Sequence, residues 1–178
     1  MKNYQTSEIK NVVLLGAPGS GKTTFAEAMA FEGKVIDRRG SIENENTLSD
    51  NTDLEHSNRR SIYSTILYTE FMNHKLNIID APGSDDFSGG LFAAFKVADV
   101  GLMLFNAQNG FEVGSEIQSR YAKTYNVPLV GVINQLDSEK ANWEGTLESI
   151  ASFSKVKPIV VQYPVNPGPG FDAFIDVL

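Results

Sequence analysis

The sequence predicts an α/β fold: a three-layer sandwich in which helices cover both faces of a mixed, mostly parallel sheet of six strands. Short apolar runs alternate with amphipathic stretches along the chain, which is the pattern of successive strand–helix–strand units. Only Met72-Asn73-His74 separates two of the predicted strands. A connection that short joins antiparallel strands, so one hairpin strand is expected in the otherwise parallel sheet. A chain of 178 residues with 42% hydrophobic content is expected to form one domain.

The predicted strands are the short runs in which apolar residues dominate. In chain order they cover residues 9–15, 62–71, 75–80, 99–105, 128–134 and 157–162. The first ends in the apolar run Val12–Leu15, and the second and third form the hairpin. The fourth contains Val100–Phe105, which is apolar without alternation, as expected of a strand that helices cover on both faces.

The predicted helices cover residues 22–31, 115–125 and 142–153. The first follows a glycine-rich turn. In the second, Ile117, Tyr121 and Tyr125 recur every four residues and predict one buried stripe. At its start, Ser115 and Gln118 fit a capping box, in which two side chains satisfy the free N–H groups of the first turn.

Composition excludes several classes of function. The net charge of −7 argues against tight nucleic-acid binding by this domain alone, although an RNA-containing partner stays possible if a larger assembly supplies the basic contacts. With no cysteine, the chain has neither disulfides nor a thiolate metal site. His56 and His74 lack neighbouring ligands and are interpreted as solvated loop residues. The N-terminus has no apolar stretch long enough for a signal peptide or membrane span, so a cytoplasmic location without membrane contact is expected.

A strongly polar segment lies between Gly33 and Ser61. A structureless loop of this length in a compact domain is usually functional or disordered. Its place between the first helix and the second strand puts it over the carboxyl edge of the sheet. We therefore expect a mobile segment that orders when a ligand binds.

A complete phosphate-binding loop, Gly-Ala-Pro-Gly-Ser-Gly-Lys-Thr, follows the first strand and precedes a helix. Its glycines let the backbone present several N–H groups to one anion, and the helix N-terminus adds positive potential. Lys22 is expected to contact the outer phosphates and the Thr23 hydroxyl to bind Mg²⁺. The residues expected to bind a nucleotide here are Gly16, Ala17, Pro18, Gly19, Ser20, Gly21, Lys22, Thr23 and Thr24.

A second motif, Asp-x-x-Gly, ends the strand predicted over 75–80. At the carboxyl end of a strand, Asp80 can reach the Mg²⁺ shell, and the Gly83 N–H can approach a γ-phosphate. Alone, this pattern is often a plain strand-to-loop turn. After a phosphate-binding loop, it favours a nucleotide site in which Thr23 and Asp80 serve the metal.

A third motif, Asn-x-x-Asp at Asn134–Asp137, ends the strand predicted over 128–134. The Asp137 carboxylate can accept two hydrogen bonds from the N1–H and N2–H₂ edge of guanine. Adenine offers neither donor, so its binding would leave the carboxylate unpaired at a cost of about 1–3 kcal/mol. Alone, this motif is also compatible with a turn capping the following helix. In succession, the three motifs predict guanine-nucleotide binding, with Asn134, Gln135 and Asp137 at the base.

With these motifs, the chain resembles the G domain of translational GTPases, most closely that of elongation factor G. The resemblance runs from about Ile9 to the C-terminus. It is densest in Leu76–Gly83, Asp86-Phe87, Ala98 to Glu116, Val127-Pro128 and Asn134–Asp137. It implies a six-stranded mixed sheet, binding of GTP or GDP with Mg²⁺, two loops that switch with the γ-phosphate, and a ribosome as partner of the full-length protein. The family inserts a subdomain near the point that Leu178 resembles, so we expect a fragment of a longer multidomain protein.

Four departures from the family pattern lie near the chemistry. Ser84 stands where the family has a histidine that positions the attacking water, which predicts weak hydrolysis. Tyr63 stands where the family has a Mg²⁺-binding threonine, although Ser61, Ser64 or Thr65 can substitute if the alignment slips. Gly19 replaces an aspartate of the phosphate-binding loop, and Gln135 replaces a lysine that covers the base.

Three functions follow in order of preference. The first is the nucleotide-binding domain of an elongation factor G-like GTPase with weak intrinsic hydrolysis. The second is a non-catalytic, GTP-gated module that binds the ribosome or regulates. The third is a small-molecule kinase, whose phosphate-binding loop is similar but which needs an arginine-rich lid; the adjacent arginine pairs here are Arg38-Arg39 and Arg59-Arg60.

Overall fold

The computed structural model describes residues 3–58, 60–84, 88–155 and 157–178. Arg59 and the pair Asp86-Phe87 therefore lie outside the described residues. A short 3₁₀ turn at Thr6–Glu8 precedes the first strand. In chain order, the elements are β1 (Ile9–Leu15), α1 (Lys22–Glu32), α2 (Asp53–Asn58), β2 (Thr65–Phe71), β3 (His74–Asp80), α3 (Ser88–Val97), β4 (Val100–Asn106), α4 (Val113–Thr124), β5 (Leu129–Asn134), α5 (Trp143–Ser154), β6 (Gln162–Val165) and β7 (Ala173–Asp176).

The main sheet has the strand order β2-β3-β1-β4-β5. β1 runs parallel to β3 and β4, and β4 runs parallel to β5. β2 pairs antiparallel with β3, with Thr65 opposite Asp80 and Phe71 opposite His74. The predicted fold class is confirmed, including the single hairpin strand. Because four strands are parallel, their carboxyl ends meet at one edge of the sheet.

Two apolar clusters pack on opposite faces of this sheet. Val12 and Leu14 of β1 belong to one cluster, together with Ala26 of α1. Val13 and Leu15 belong to the other, which contains buried residues of α3 and α4. Successive side chains of a strand point to opposite faces, so β1 contributes to both layers. The three-layer arrangement follows directly from this alternation.

Helices α2 and α3 are not predicted by the residue pattern. α3 begins near Gly89 and Gly90, and glycine disfavours a helix by about 1 kcal/mol per residue relative to alanine. The helix forms because Leu91, Ala94 and Phe95 are buried against the sheet, and tertiary packing outweighs propensity.

The predicted capping box in the helix 115–125 is wrong. α4 begins two residues earlier, at Val113, and its N-cap residue is Glu112 in extended conformation. Ser115 and Gln118 are instead buried inside the helix, each 1% exposed. Gly114 in this earlier first turn lies close to the phosphate-binding loop: a Cβ there would be 3.4 Å from Ala17 Cα.

Two of the predicted strands differ from the structure by more than one residue at an end. β2 begins at Thr65 rather than at residue 62, because the Ile62 and Tyr63 N–H groups bind a side chain instead of a neighbouring strand. Within the described residues the main sheet has five strands, and the predicted sixth, 157–162, is not among them. Its apolar run is uncovered, with Ile159 90% exposed, and the chain forms β6 only from Gln162. β6 pairs antiparallel with β7 in a separate two-stranded sheet.

The polar segment between α1 and β2 is not structureless. Two buried glutamates collect its backbone N–H groups. Glu27 of α1 is 1% exposed and accepts hydrogen bonds from Gly40 N and Leu48 N. Glu55 of α2 is 2% exposed and accepts from Thr52 N and from the N–H groups of residues 62 and 63. Ligand-dependent ordering of this segment stays a prediction.

The two histidines are likewise not loop residues. His56 lies in α2, where its Nε2 is 2.9 Å from the carbonyl oxygen of Asp50. His74 begins β3, and its Nδ1 is 2.9 Å from the Met72 carbonyl. Each ring therefore takes part in local backbone contacts.

Glu55→Gln is expected to lower the free energy of unfolding by about 1.5–3 kcal/mol, because a charged acceptor of several hydrogen bonds is lost. Burial acts to raise the pKa of Glu55, but hydrogen bonds from Ile62, Thr52 and Tyr63 outweigh it, and the pKa lies below the usual 4.5. A depressed carboxyl pKa stabilises the fold above the unfolded-state pKa. The difference between wild type and variant should therefore shrink as pH falls below 4.5.

Urea denaturation at several pH values measures this difference. Glu43→Gln, an exposed glutamate of the same segment, is the matched control and should leave stability unchanged. Equal stability of the two variants at neutral pH would show that Glu55 does not hold the segment.

Candidate nucleotide-binding site

The three predicted motifs meet at the carboxyl edge of the sheet. The phosphate-binding loop follows β1, Asp80–Ser84 follows β3, and Asn134–Asp137 follows β5. Between them lies a cavity of about 220 Å³. It is lined by Pro18, Gly19, Gly21, Lys22, Thr23, Thr24, Ile42, Asp50, Arg60, Ser61, Gly83, Ser84 and Gln135. The topology thus brings together side chains that are more than a hundred residues apart in sequence.

The phosphate-binding loop owes its shape to glycines with positive φ. Gly16, Gly19 and Gly21 have φ values of 134°, 79° and 91°. A Cβ at Gly16 would lie 2.4 Å from the carbonyl oxygen of Leu104, and one at Gly21 would lie 2.4 Å from Asn134 Nδ2. Side chains at these two positions would collide with neighbouring strands, so the loop requires glycine for both conformation and space.

Lys22 is folded back onto the loop that it belongs to. Its Nζ donates hydrogen bonds to the carbonyl oxygens of Gly16 and Ala17, at 2.9 and 3.1 Å. The side chain is buried, and burial lowers the pKa of Lys22 to about 8, although Asp80 and Asp50 favour the charged form. Among the described residues, the hydrogen-bond acceptors of this ammonium group are neutral carbonyl oxygens. A phosphate oxygen is a stronger, charged acceptor and can replace them.

Thr23 and Asp80, the predicted metal-binding pair, are in contact. The Thr23 hydroxyl donates to Asp80 Oδ2 at 2.9 Å and lies 3.2 Å from the Ser61 hydroxyl. The other oxygen, Asp80 Oδ1, is buried without a hydrogen bond of good geometry within the described part of the chain, although the nearby Ser49 hydroxyl acts to lower the pKa of the carboxyl. Burial raises the pKa of the Asp80 carboxyl. Hard oxygen donors with a free carboxylate oxygen fit Mg²⁺.

Asn134 and Gln135 hold the phosphate-binding loop from the β5 side. Asn134 Nδ2 donates to the carbonyl oxygen of Ser20, and Gln135 Nε2 donates to that of Gly19, both at 2.9 Å. Gln135, with a positive φ of 60°, also accepts a hydrogen bond from Asn106 Nδ2 at 2.6 Å. The two side-chain amides therefore connect the Asn-x-x-Asp motif, which is predicted to recognise the base, to the phosphate-binding loop.

Asp137 is separate from these contacts. It is exposed on the turn that follows β5 and is not among the residues lining the cavity. An exposed carboxylate at this point is accessible to a base lying outside the phosphate cavity. Its predicted role in reading guanine is compatible with this position and stays a prediction.

Sequence comparison identifies the family of this site. The profile described as "Elongation factor Tu GTP binding domain" matches residues 7–174. The chain belongs to this family. Its elongation factor G-like character is seen in its relatives: it is 31% identical over 177 residues to elongation factor G of Dehalococcoides mccartyi, covering 99% of this chain and 26% of that protein. The predicted resemblance is confirmed, and the kinase alternative is set aside.

Two further comparisons agree with this assignment of the GTP-binding domain. The chain is 27% identical over 176 residues to mitochondrial ribosome-releasing factor 2 of Danio rerio, covering 99% of this chain and 23% of that protein. A crystal structure of a Thermus thermophilus protein superposes with a TM-score of 0.88 at 31% identity, covering 96% of this chain and 26% of that chain. The GTP-binding domain thus spans about a quarter of the length of these relatives.

The position of the family's switch threonine differs in this GTP-binding domain. Tyr63 is 58% exposed, and its N–H is bound to Glu55. It does not line the cavity within the described residues. Ser61, one of the predicted substitutes, does line it and lies beside Thr23. Of the predicted substitutes, Ser61 is therefore the one whose hydroxyl contacts Thr23 of the predicted metal-binding pair.

Asp50 is a site residue that sequence reasoning misses. It lies in the polar segment, is 5% exposed and lines the cavity. Neither carboxylate oxygen has a hydrogen bond of good geometry to a described residue. Burial raises the pKa of Asp50, while the nearby Ser61 hydroxyl lowers it. No motif marks this residue among the many polar side chains of the segment, so only its burial distinguishes it.

Gly83 and Ser84 also line the cavity in this GTP-binding domain. A Cβ at Gly83 would lie 2.5 Å from Lys22 Nζ, so glycine permits the lysine to lie close to this turn. The approach of the Gly83 N–H to a γ-phosphate stays a prediction. Ser84 is half-buried and lines the cavity, at the place of the family's histidine.

In the part of the chain that the structure covers, no helix combines the length and apolar character needed to cross a bilayer.

Proposed function

We propose that this domain binds GTP and GDP with Mg²⁺ in a cytoplasmic, ribosome-associated GTPase of the elongation factor G type whose intrinsic hydrolysis is weak. One observation supports this proposal above the others. Lys22, the Thr23–Asp80 pair and the Asn134–Asp137 motif share one edge of the sheet, where the loop after β1 lies between the end of β3 and the end of β5. Family membership supports guanine-nucleotide binding independently.

The donor set supports a magnesium ion beside the phosphates. Thr23, Asp80, Ser61 and Asp50 would hold it, directly or through water. Mg²⁺ sites in nucleotide-binding proteins commonly use one or two carboxylates together with phosphate oxygens. When bound, the ion neutralises charge on the β- and γ-phosphates. Lys22 would add a second positive charge beside the same phosphates.

Weak hydrolysis follows from Ser84. A serine hydroxyl is shorter than an imidazole and cannot become positively charged, so it positions and polarises an attacking water poorly. The same observation favours a second candidate function: a non-catalytic module that binds the ribosome in its GTP state. Single-turnover hydrolysis with ribosomes separates the two, because acceleration by several orders of magnitude contradicts the non-catalytic module.

Isothermal titration calorimetry of the purified protein with GDP and ADP, in buffer containing Mg²⁺, tests the proposed function. GDP should bind at least about tenfold more tightly, because guanine offers the Asp137 carboxylate two hydrogen-bond donors, N1–H and N2–H₂, that adenine lacks. Equal affinities for the two nucleotides, or no binding of either, would overturn the proposal. Repeating the titration with EDTA should weaken GDP binding if the metal contributes.

Asp137→Asn is expected to lower GDP affinity by about 10- to 200-fold, because a carboxamide places an N–H₂ donor against a donor on guanine. The same change should improve binding of xanthosine diphosphate, whose oxygen at position 2 accepts a hydrogen bond. Competition with a fluorescent GDP measures both affinities. The control is Asp172→Asn, an exposed aspartate distant in sequence from all three motifs. Unchanged selectivity in Asp137→Asn would remove Asp137 from base recognition.

A further inference from the structure

The hydrogen bond between helix α4 and the start of the phosphate-binding loop is not explained by nucleotide recognition. Gln118 Oε1 accepts a hydrogen bond from the Gly16 N–H at 2.7 Å. The Gln118 side chain is 1% exposed, and Gly16 is buried as well. A buried amide that lies 102 positions from its partner in sequence reflects a tertiary contact rather than local helix geometry.

The backbone N–H of Gly16 needs this acceptor. The pairing of β1 with β4 ends at Leu15, opposite Met103. Beyond that point the chain turns into the loop, and a buried N–H without an acceptor is costly. Strand β4 lies directly beside Gly16, since a Cβ there would be 2.4 Å from the carbonyl oxygen of Leu104. Gln118 thus fixes the first residue of the loop against β4.

Gly16 also binds Lys22. The carbonyl oxygen of Gly16 accepts a hydrogen bond from Lys22 Nζ at 2.9 Å. A displacement of Gly16 therefore also moves the carbonyl oxygen that binds the buried ammonium group of Lys22. One turn before Gln118, Gly114 lies close to the loop and to the following motif: a Cβ there would be 3.4 Å from Ala17 Cα and 3.6 Å from the Gly83 oxygen.

We propose that Gln118 is a positioning residue that couples the seating of α4 to the shape of the phosphate-binding loop, and thereby to nucleotide affinity. This proposal rests on the proposed nucleotide-binding function. Within the described residues, Gln118 is not among those that line the cavity. Its hydrogen bond fixes the position of Gly16, and with it the orientation of the loop N–H groups and of Lys22. Helix α4 also lies close to both the loop and Gly83.

Gln118→Met tests the proposal, because methionine has similar length and no comparable acceptor. The dissociation constant for fluorescent GDP should rise at least about fivefold, mainly through faster release. By NMR, the Gly16 amide should exchange with solvent at least about tenfold faster than in the wild type. Val127→Ala is the control: it removes buried volume from the cluster beneath α4 without touching the loop. This control should lower the free energy of unfolding. It should leave the GDP dissociation constant unchanged, and should not speed exchange of the Gly16 amide relative to other buried amides.

The outcomes separate this inference from the proposed function. Unchanged GDP affinity in a folded Gln118→Met protein, with tight binding by the wild type, would overturn the inference alone. Failure of the wild type to bind GDP would overturn both. If the variant does not fold, the wild type still decides: its Gly16 amide should exchange as slowly as those of Val13 and Leu14. Exchange as fast as in surface loops would contradict the hydrogen bond and the proposal.

Discussion

Replacing Ser84 with histidine is expected to raise the rate of ribosome-stimulated GTP hydrolysis by about 10²–10⁴-fold, the usual contribution of a positioned proton-handling group. Ser84 lines the cavity beside Gly83, so an imidazole at this position enters the same space as the phosphates. It can orient a water molecule and carry positive charge as the transition state forms, neither of which a hydroxyl does well. Single-turnover assays with radiolabelled GTP and ribosomes measure the rate.

The controls for this experiment keep the cavity similar and remove the new chemistry. Ser84→Ala should hydrolyse GTP at the wild-type rate, since the native hydroxyl contributes little. GDP affinity should be similar in all three proteins. A histidine variant that binds GTP normally but is no faster would show that another departure, such as Gly19 or the displaced Tyr63, limits the reaction.

Lys22→Met is expected to weaken GDP binding by roughly 30- to 4,000-fold, because truncating one partner of a buried charge pair costs about 2–5 kcal/mol. Methionine keeps most of the apolar stem but cannot compensate the phosphate charge. It also leaves the Gly16 and Ala17 carbonyl oxygens without their present donor. The fold should survive, since the methionine side chain fills nearly the same volume.

Fluorescence titration with labelled GDP gives the affinity, and circular dichroism confirms folding. Lys10→Met is the matched control, because Lys10 is exposed at the opposite end of β1. That control should bind GDP like the wild type. Loss of affinity of similar size in both variants would mean that overall positive charge, rather than the position of Lys22, determines binding.

Local motifs predicted the elements that carry the phosphate chemistry. β1 matches its predicted limits, and α1 exceeds its prediction by one residue. An apolar strand followed by a glycine-rich loop has few alternative structures, because the loop conformation needs glycine and the next residues favour a helix. The hairpin was equally predictable, since three connecting residues allow only antiparallel pairing.

Residues whose roles depend on tertiary contacts could not be predicted in this way. Asp50 enters the cavity because Thr47 and His56 contact its backbone and turn its side chain inward. Gln118 fitted a local capping pattern, but its partner lies in another part of the chain. α3 forms against the glycine content of its first turn because the sheet buries its apolar side chains. In each case, packing between elements outweighs the local preference.

The use of carboxylates to bind backbone N–H groups has a consequence for how this protein can diverge. Glu27 and Glu55 recognise the main chain of the segment between α1 and β2 rather than its side chains. Nearly every amino acid carries the same N–H donor, so most positions of the segment can change identity without losing these bonds. Natural variants should therefore accumulate replacements there rapidly, except for proline at the donor positions. Glu27 and Glu55 thus keep the backbone path of this segment the same. The side chains of the segment, which form the surface around the cavity, can meanwhile change to suit new partners.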